Sequence, residues 1–567
     1  MGRRDRLIVS VAVLLLPISA LAQKTASVQA STRNIDQILG IPSEERGKCE
    51  TSALMLALTQ WQALQPATKQ AVLLAVQRVP KHKSRVSPSG RFRVHYDTAG
   101  VHVPALITSG PNGQRISGTA EKFVDSVATY FEKIWTLEID SLRLEAPPSD
   151  GVQGGGPEYD IYVEELGTDM FGETSWNLTS DLIENGVRQR FSTYITVDND
   201  FVGYRTPGMD GLRVTAAHEF FHAIQVGSYC VWTNVPSSNF YFYELSSVWM
   251  EHLAFPHIHD YYYYLPKYFL YYRDGQDRSY PFTLWDGMYR GYERAVWAFF
   301  LSEKFGRDVI REIWSGMKQS PVLPATTSVL ARRGTTLERE FAHFGLWNFY
   351  TGDRADPTRS YAEGASFPRY KPNVSMDFFG NQAVIRSAAP AMSMQMYQFT
   401  LSGDTVTAIV TNRDAASAQN SSPPFSDVSL AMRSSGFEPP YQLVAPGIGV
   451  SLKSPDLAKL NVVYLRSSTK ENAIVSPGPS PNPLRLATDA RLLLPLTVKS
   501  MEPVDVYVLN SAAEKVFERR YQSQVSFGMT AVEIPVSDLR AELATGVFFF
   551  IARTRGEEHT WKVAVIR

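Results

Sequence analysis

Thr215-Ala-Ala-His218-Glu219-Phe-Phe-His222-Ala-Ile-Gln225 is the stretch on which the reading of this chain turns. A spacing of four puts His218 and His222 one turn apart on the same helix face. From there two imidazole nitrogens can reach one ion at about 2.0–2.1 Å. Glu219 follows the first histidine, where it can reach a metal-bound water without ligating the metal, as an H-E-x-x-H pattern requires. Ala216, Ala217, Phe220, Phe221, Ala223 and Ile224 make the helix apolar on most sides, so burial is expected. Two histidines and a carboxylate inside a buried helix are costly unless a cation satisfies them, and the expected cofactor is one zinc ion.

An open zinc site takes three protein ligands and keeps a fourth position for water. Gln225 and Ser228 stand where an extended motif would need Gly and His, so the third ligand has to come from elsewhere. Glu244 leads, in Tyr243-Glu-Leu-Ser-Ser-Val-Trp-Met-Glu251-His-Leu-Ala254 on the next predicted helix. Glu251, two turns along the same face, is the alternative, as a ligand or as the acceptor for a ligand histidine's outer N–H. His252, His257 and His259 rank lower. Tyr289, Tyr292 and Arg294 are open candidates for stabilising an oxyanion. Asp198-Asn-Asp200 reads as an acidic turn rather than a calcium loop. The tyrosines at 261–264, 268, 271 and 272 read as core before cleft.

Working outward, Met1 to Arg6 is basic, Leu7 to Pro17 is almost continuously apolar, and Ala20-Leu21-Ala22 follows. That order is a secretory signal peptide cleaved after Ala22, and the apolar run is too short to span a bilayer comfortably. The expected address is secreted or extracellular, with the periplasm or cell surface as variants, and no membrane span remains after cleavage. A chain of 567 residues should hold several domains. A net charge of -1 and a pI near 6.8 leave no basic surplus for nucleic acid. Cys49 and Cys230 are the only cysteines; their pairing is left open. With no CxxC, cysteine is not expected to hold metal.

Residues 23–90 read as a helical leader or pro-segment that ends in an exposed linker, Lys81 to Gly90. Predicted strands at Arg91–Tyr96, Tyr159–Val163 and Tyr194–Val197 precede predicted helices at about 212–226, 240–255 and 292–305. Strands first and helices after suggest an α+β lobe over 91–375. Short alternating segments then point to a β-sandwich over 376–475 and a last all-β unit over 476–567, opened by the Pro-rich hinge Ser476–Pro483. The fold class expected is multidomain, an α+β lobe followed by two all-β sandwiches of Ig-like type.

HEFFH followed by a glutamate in a Trp-bearing helix resembles the gluzincin group of zinc metallopeptidases. The strings SPSGRFRVHYDTAG (87–100), TAAHEFFHAIQ (215–225) and ELSSVWMEHLAFP (244–256) are similar to a group of exported bacterial metalloproteases. In those the third string usually reads Glu-Gly-x-Ala-x-Trp-Met-Glu; Leu245 and Ser247 depart from it here. The resemblance covers roughly residues 45–310. It implies a zincin-like lobe and an endopeptidase acting on protein or peptide substrates through a metal-activated water. Glu219 would be the general base, and His218, His222 and Glu244 the ligands. The strand at 194–197 would take extended peptide by strand addition.

Pro481-Asn-Pro483, Val504–Val508, Gly546–Phe550 and Lys562–Ile566 are similar to the C-terminal sorting domains of type IX secretion, which implies secretion machinery as a partner. Two rival readings stand beside the peptidase. One is a catalytically silent secreted binding or adhesion protein with a structural metal, favoured by a closed four-ligand site. The other is a metal-dependent hydrolase of non-peptide substrates.

Overall fold

Alternation in Phe92–Tyr96 and near-continuous apolar character in Tyr159–Glu164 and Tyr194–Asp198 build the sheet that positions the site. The computed structural model describes residues 35–41, 47–110, 113–233, 237–270, 282–283, 291–358 and 360–371. Beyond these it describes strand segments between 374 and 466, and residues 479, 481–496, 501–526, 529–556 and 558–567. The expected signal peptide, most of the Pro-rich hinge, Tyr271, Tyr272 and Tyr289 lie outside the described residues. The chain divides into two units, residues 1–276 with 282–371, and residues 277–281 with 372–567.

In the first unit, β1 (Lys83–Val86), β2 (Phe92–Tyr96), β3 (Tyr159–Glu164), β4 (Gly172–Ser175) and β7 (Tyr194–Asp198) form one sheet in the order β1-β2-β3-β7-β4. β2, β3 and β7 run parallel; β1 and β4 are antiparallel edges. The stretch 81–90, expected as a loose linker, carries the solvent-exposed edge strand β1, paired Lys83 to Tyr96. β7 lies between β3 and β4 and has no free edge, which removes peptide binding by addition to that strand. A smaller sheet joins β5 (Leu182–Glu184), β6 (Arg188–Phe191) and β8 (Val231–Trp232).

Nine of the helices among the described residues, each of nine residues or more, frame the lobe. They are α1 (Thr51–Thr59), α2 (Pro66–Ala75), α3 (Ala120–Trp135), α4 (Gly208–Ile224), α5 (Ser237–Ala254), α6 (Ala295–Phe305), α7 (Asp308–Met317), α8 (Val322–Arg332) and α9 (Leu337–Phe349). α3 turns Phe123, Val127, Phe131 and Ile134 inward, and Phe92, Phe131, Trp135 and Phe220 pack edge to face between β2, α3 and α4. α4 is apolar all round and buried along nearly its whole length, as such a helix must be. It continues into a single π turn at Gln225–Tyr229.

The second unit departs from the expected pair of Ig-like sandwiches. It is a single mostly-β region. β9 (Val374–Phe378), β10 (Ser393–Leu401), β12 (Val428–Leu430), β13 (Tyr441–Leu443) and β15 (Lys459–Arg466) make a five-stranded sheet, with β11 (Thr405–Val410) and β14 (Ile448–Lys453) paired apart. Its C-terminal part is a near-closed seven-stranded barrel. The strands are β16 (Leu484–Arg485), β17 (Arg491–Leu496), β18 (Pro503–Leu509), β19 (Lys515–Ser526), β20 (Met529–Pro535), β21 (Gly546–Arg553) and β22 (Glu558–Ile566).

The order β16-β22-β21-β18-β19-β20-β17 returns nearly to its start. The long β19 makes the curve: its first part pairs with β18, and from Ser523 onward it pairs with β20. Bonds from Leu486 N to Ile566 O (2.8 Å) and Val536 N to Ala490 O (2.9 Å) extend the β16–β22 and β17–β20 pairings beyond the strand ends, and only residues 486–490 separate β16 from β17 along the chain. Leu492, Leu494, Val504, Val506, Val508, Val532, Ile534, Phe550, Val563 and Val565 fill the interior. A barrel and a sandwich share the same in–out alternation along each strand, so the pattern read from sequence does not separate them.

Candidate metal centre

Helical spacing brings His218 and His222 together on one face of α4, as their rings 4.7 Å apart record. α5 packs alongside and supplies Glu244, whose Oε2 lies 3.3 Å from His218 Nε2 and 3.4 Å from His222 Nε2. The two Nε2 atoms are 3.1 Å apart. A fourth donor completes the group: Cys49 Sγ sits 3.5 Å from His222 Nε2 and 3.9 to 4.0 Å from the Glu244 carboxylate oxygens. All four side chains are buried, and their donor atoms lie within 4.8 Å of one another.

The outer hydrogen bonds show which way these donors face. Gln225 Nε2 gives its protons to Tyr243 O, Ser246 Oγ and Ser247 Oγ, so its Oε1 is the atom that accepts from His222 Nδ1 at 2.7 Å. The Glu251 carboxylate accepts from Lys48 Nζ at 2.7 Å and from His218 Nδ1 at 2.6 Å. With both Nδ1 atoms donating outward, both Nε2 atoms turn lone pairs toward the shared centre. With protons on the imidazoles, Glu244 raises both histidines and they in turn hold its carboxyl at about 2 against burial; a divalent cation would take the place of those protons on the Nε2 atoms. Ser52 Oγ donates to the other Glu244 oxygen.

Two lone-pair nitrogens, a carboxylate and a sulfur converging in a dry interior are the donor set of a borderline divalent cation. The distances fit as well. Tetrahedral zinc, with bonds of about 2.0–2.1 Å to N or O and about 2.3 Å to S, places N and O donors roughly 3.3 Å apart and sulfur roughly 3.6 Å from them.

Cys49 comes from a strap, residues 47–51, laid along the edge strand β4. Phe171 N donates to Lys48 O at 2.8 Å, and Thr51 Oγ1 bonds both ways with the backbone of Thr174 at 3.2 and 3.3 Å. Lys48 is buried between Glu251 (2.7 Å) and Asp260 (2.9 Å), and Arg205 closes the chain on Asp260 at 3.0 Å. The two acids outweigh burial and raise the Lys48 pKa, so it stays charged. Tyr292 stacks on His218 and packs its hydroxyl against Gly47, where even a Cβ would collide with it. The strap therefore covers both the sheet edge and the ion position.

The peptidase expectation is corrected by this arrangement. The cluster is Cys/His/His/Glu, closed by a donor 173 residues before His222 along the chain. It differs in composition and spacing from the gluzincin set of three protein ligands and a water. Glu219, the expected base, is not among the four: its Oε2 accepts from Thr174 Oγ1 at 2.9 Å, beside Gly172 of β4. Burial raises its pKa. The expectation that cysteine takes no part is also overturned; Cys49 and Cys230 are unpaired, and Cys230 lies elsewhere, donating to Met317 O at 3.4 Å.

Of the remaining candidates, Glu251 sits behind His218 rather than in the cluster. Arg294 is fully buried, and His257 lies on the exposed turn after α5. Tyr261, Tyr264 and Tyr268 are core, whereas Tyr263 is exposed. Asp198 serves its turn, accepting from the backbone N–H groups of Leu166, Asp200 and Phe201.

Lys48 and Cys49 were missed by sequence reasoning. A lone cysteine with no partner at metal-ligand spacing gives no local signal, and only the fold brings it to α4. No family model and no curated protein matches this chain. No helix among the described residues is long and apolar enough to cross a membrane.

Proposed function

We propose that this chain is a catalytically silent exported binding protein whose α+β lobe is held by a structural zinc ion at Cys49, His218, His222 and Glu244. One observation carries the reading: four buried donors at tetrahedral spacing, with no position left for water. A thiolate and a carboxylate balance the two charges of the ion, and the imidazoles complete the shell without adding any. His218 and His222 are oriented by Glu251 and Gln225, as ligand histidines are in stable sites. The strap that supplies the sulfur also occupies the sheet edge, and all four donors are buried beneath the surface. Recognition of other molecules then falls to outer surfaces, and the ion acts through folding free energy.

The test pairs two measurements on zinc-loaded protein. Chelation should lower the melting temperature, and casein and small ester substrates should stay intact whether zinc is present or removed. Hydrolysis that disappears with a chelator and returns with zinc would overturn the proposal.

A further inference from the structure

A second group of donors lies on the surface of the same lobe. His252 ends α5, His259 follows in the next loop, and Glu363 arrives from the segment after α9. His259 Nε2 is 3.1 Å from Glu363 Oε1, and His252 Nε2 is 3.7 Å from the same oxygen. The three ligand atoms lie within 4.8 Å of one another.

The other carboxylate oxygen is already engaged. Oε2 accepts from the Tyr261 hydroxyl and, at 3.2 Å, from the Tyr262 hydroxyl. Those bonds fix the carboxylate so that Oε1 faces the two rings. The rings are held in turn: His259 stacks on Tyr262 at 4.7 Å, and His252 packs edge-on against Tyr261 and Phe299 at 5.0 and 5.5 Å.

We propose that His252, His259 and Glu363 form a second metal site, partly open to solvent, for a borderline divalent transition ion such as zinc. The bland alternative is a histidine–carboxylate ion pair. It accounts for His259, but at 3.7 Å His252 is beyond hydrogen-bond reach of the oxygen its Nε2 approaches. Ligands that share one tetrahedral ion at about 2.0–2.1 Å stand roughly 3.3 Å apart, which falls between the two separations seen here.

Two nitrogens among three donors select against calcium and magnesium, which take oxygen. The side chains are 18%, 35% and 33% exposed, so three protein ligands leave coordination positions for water or an outside donor. Occupied, the site would tie the segment around Glu363 to the end of α5. It shares no residue with the buried centre and does not rest on it.

Calorimetry with zinc on the full-length protein, already carrying one equivalent, tests this. A second equivalent should bind. His259→Ala and Glu363→Gln should each weaken that second event at least tenfold and leave the first unchanged, while His257→Ala changes neither. Uptake of no second equivalent, or unaltered second-site binding in both variants, would overturn the proposal, as would calcium binding in place of zinc. Cobalt separates the two sites, because only the buried centre has sulfur to give a thiolate-to-metal charge-transfer band. If that band is absent, the surface site is read as the uptake that His259→Ala and Glu363→Gln remove, whichever equivalent it is, and uptake that neither variant alters overturns the proposal.

Discussion

Replacing Cys49 with serine removes the donor that closes the buried centre and leaves His218, His222 and Glu244 in place. The hydroxyl is shorter and remains protonated, so the site loses both a bond at sulfur length and one of its two balancing charges. Structural zinc in small domains contributes about 10–16 kcal/mol of apparent binding free energy. One ligand of four is then worth roughly 3–4 kcal/mol, or about 100- to 1,000-fold in affinity. By mass action the same amount is withdrawn from ligand-linked stability wherever zinc saturates the native protein. Competition against a chromophoric chelator reads the affinity, and melting curves with and without EDTA read the linkage. Cys230→Ser is the control: that thiol is equally buried but lies away from the cluster, so zinc affinity should not move. If Cys49→Ser held zinc as tightly as the native chain and melted identically, sulfur would not be a ligand and the closed-site reasoning would fail.

Lys48→Met removes the cation that buried Glu251 and Asp260 share, leaving Glu251 only His218 and Asp260 only Arg205 and Thr206, and taking one partner from such a buried group should cost about 3–5 kcal/mol in chemical denaturation. A loss under 1 kcal/mol would show that the strap is not anchored there. Gln225→Leu strips the nearer acceptor from His222 Nδ1 and leaves only Ser247 Oγ at 3.3 Å, so zinc affinity should fall about 10- to 100-fold with the fold retained; unchanged affinity would contradict the role given to Gln225.

Glu138 is fully buried, neither carboxylate oxygen has a hydrogen-bond partner among the described residues, and burial raises its pKa well above the ordinary value. Its unfolded form ionises near pH 4.3, so its cost to stability is absent below that pH and grows as pH rises toward the folded value. Glu138→Gln should therefore raise the melting temperature at pH 7 and make little difference at pH 4, and the opposite order would refute the assignment.

How far the sequence reaches is clearest at α4 and α5. His218 and His222 are legible because helical spacing alone puts them on one face, and Glu244 because an apolar helix close behind must pack on the first. Cys49 is not legible, since its position depends on a strap laid along β4 by backbone bonds that no local pattern announces. That one unseen donor changes the reading from an open site with Glu219 beside a water to the proposed closed one. The C-terminal unit fails for a different reason. Val504, Val506 and Val508 alternate equally well facing another sheet or a barrel interior, and only the bend in β19, pairing with β18 and then with β20, chooses between them. His252 and His259 were legible only as weak ligand candidates, because Glu363 joins them from more than a hundred residues away.

Zinc K-edge X-ray absorption on the protein carrying one equivalent of zinc reads the central claim directly. The expected first shell is one sulfur at about 2.3 Å with three nitrogen or oxygen neighbours at about 2.0–2.1 Å, unchanged when azide is added. A shell with no sulfur, or one in which azide replaces a light neighbour, would contradict a centre closed by Cys49.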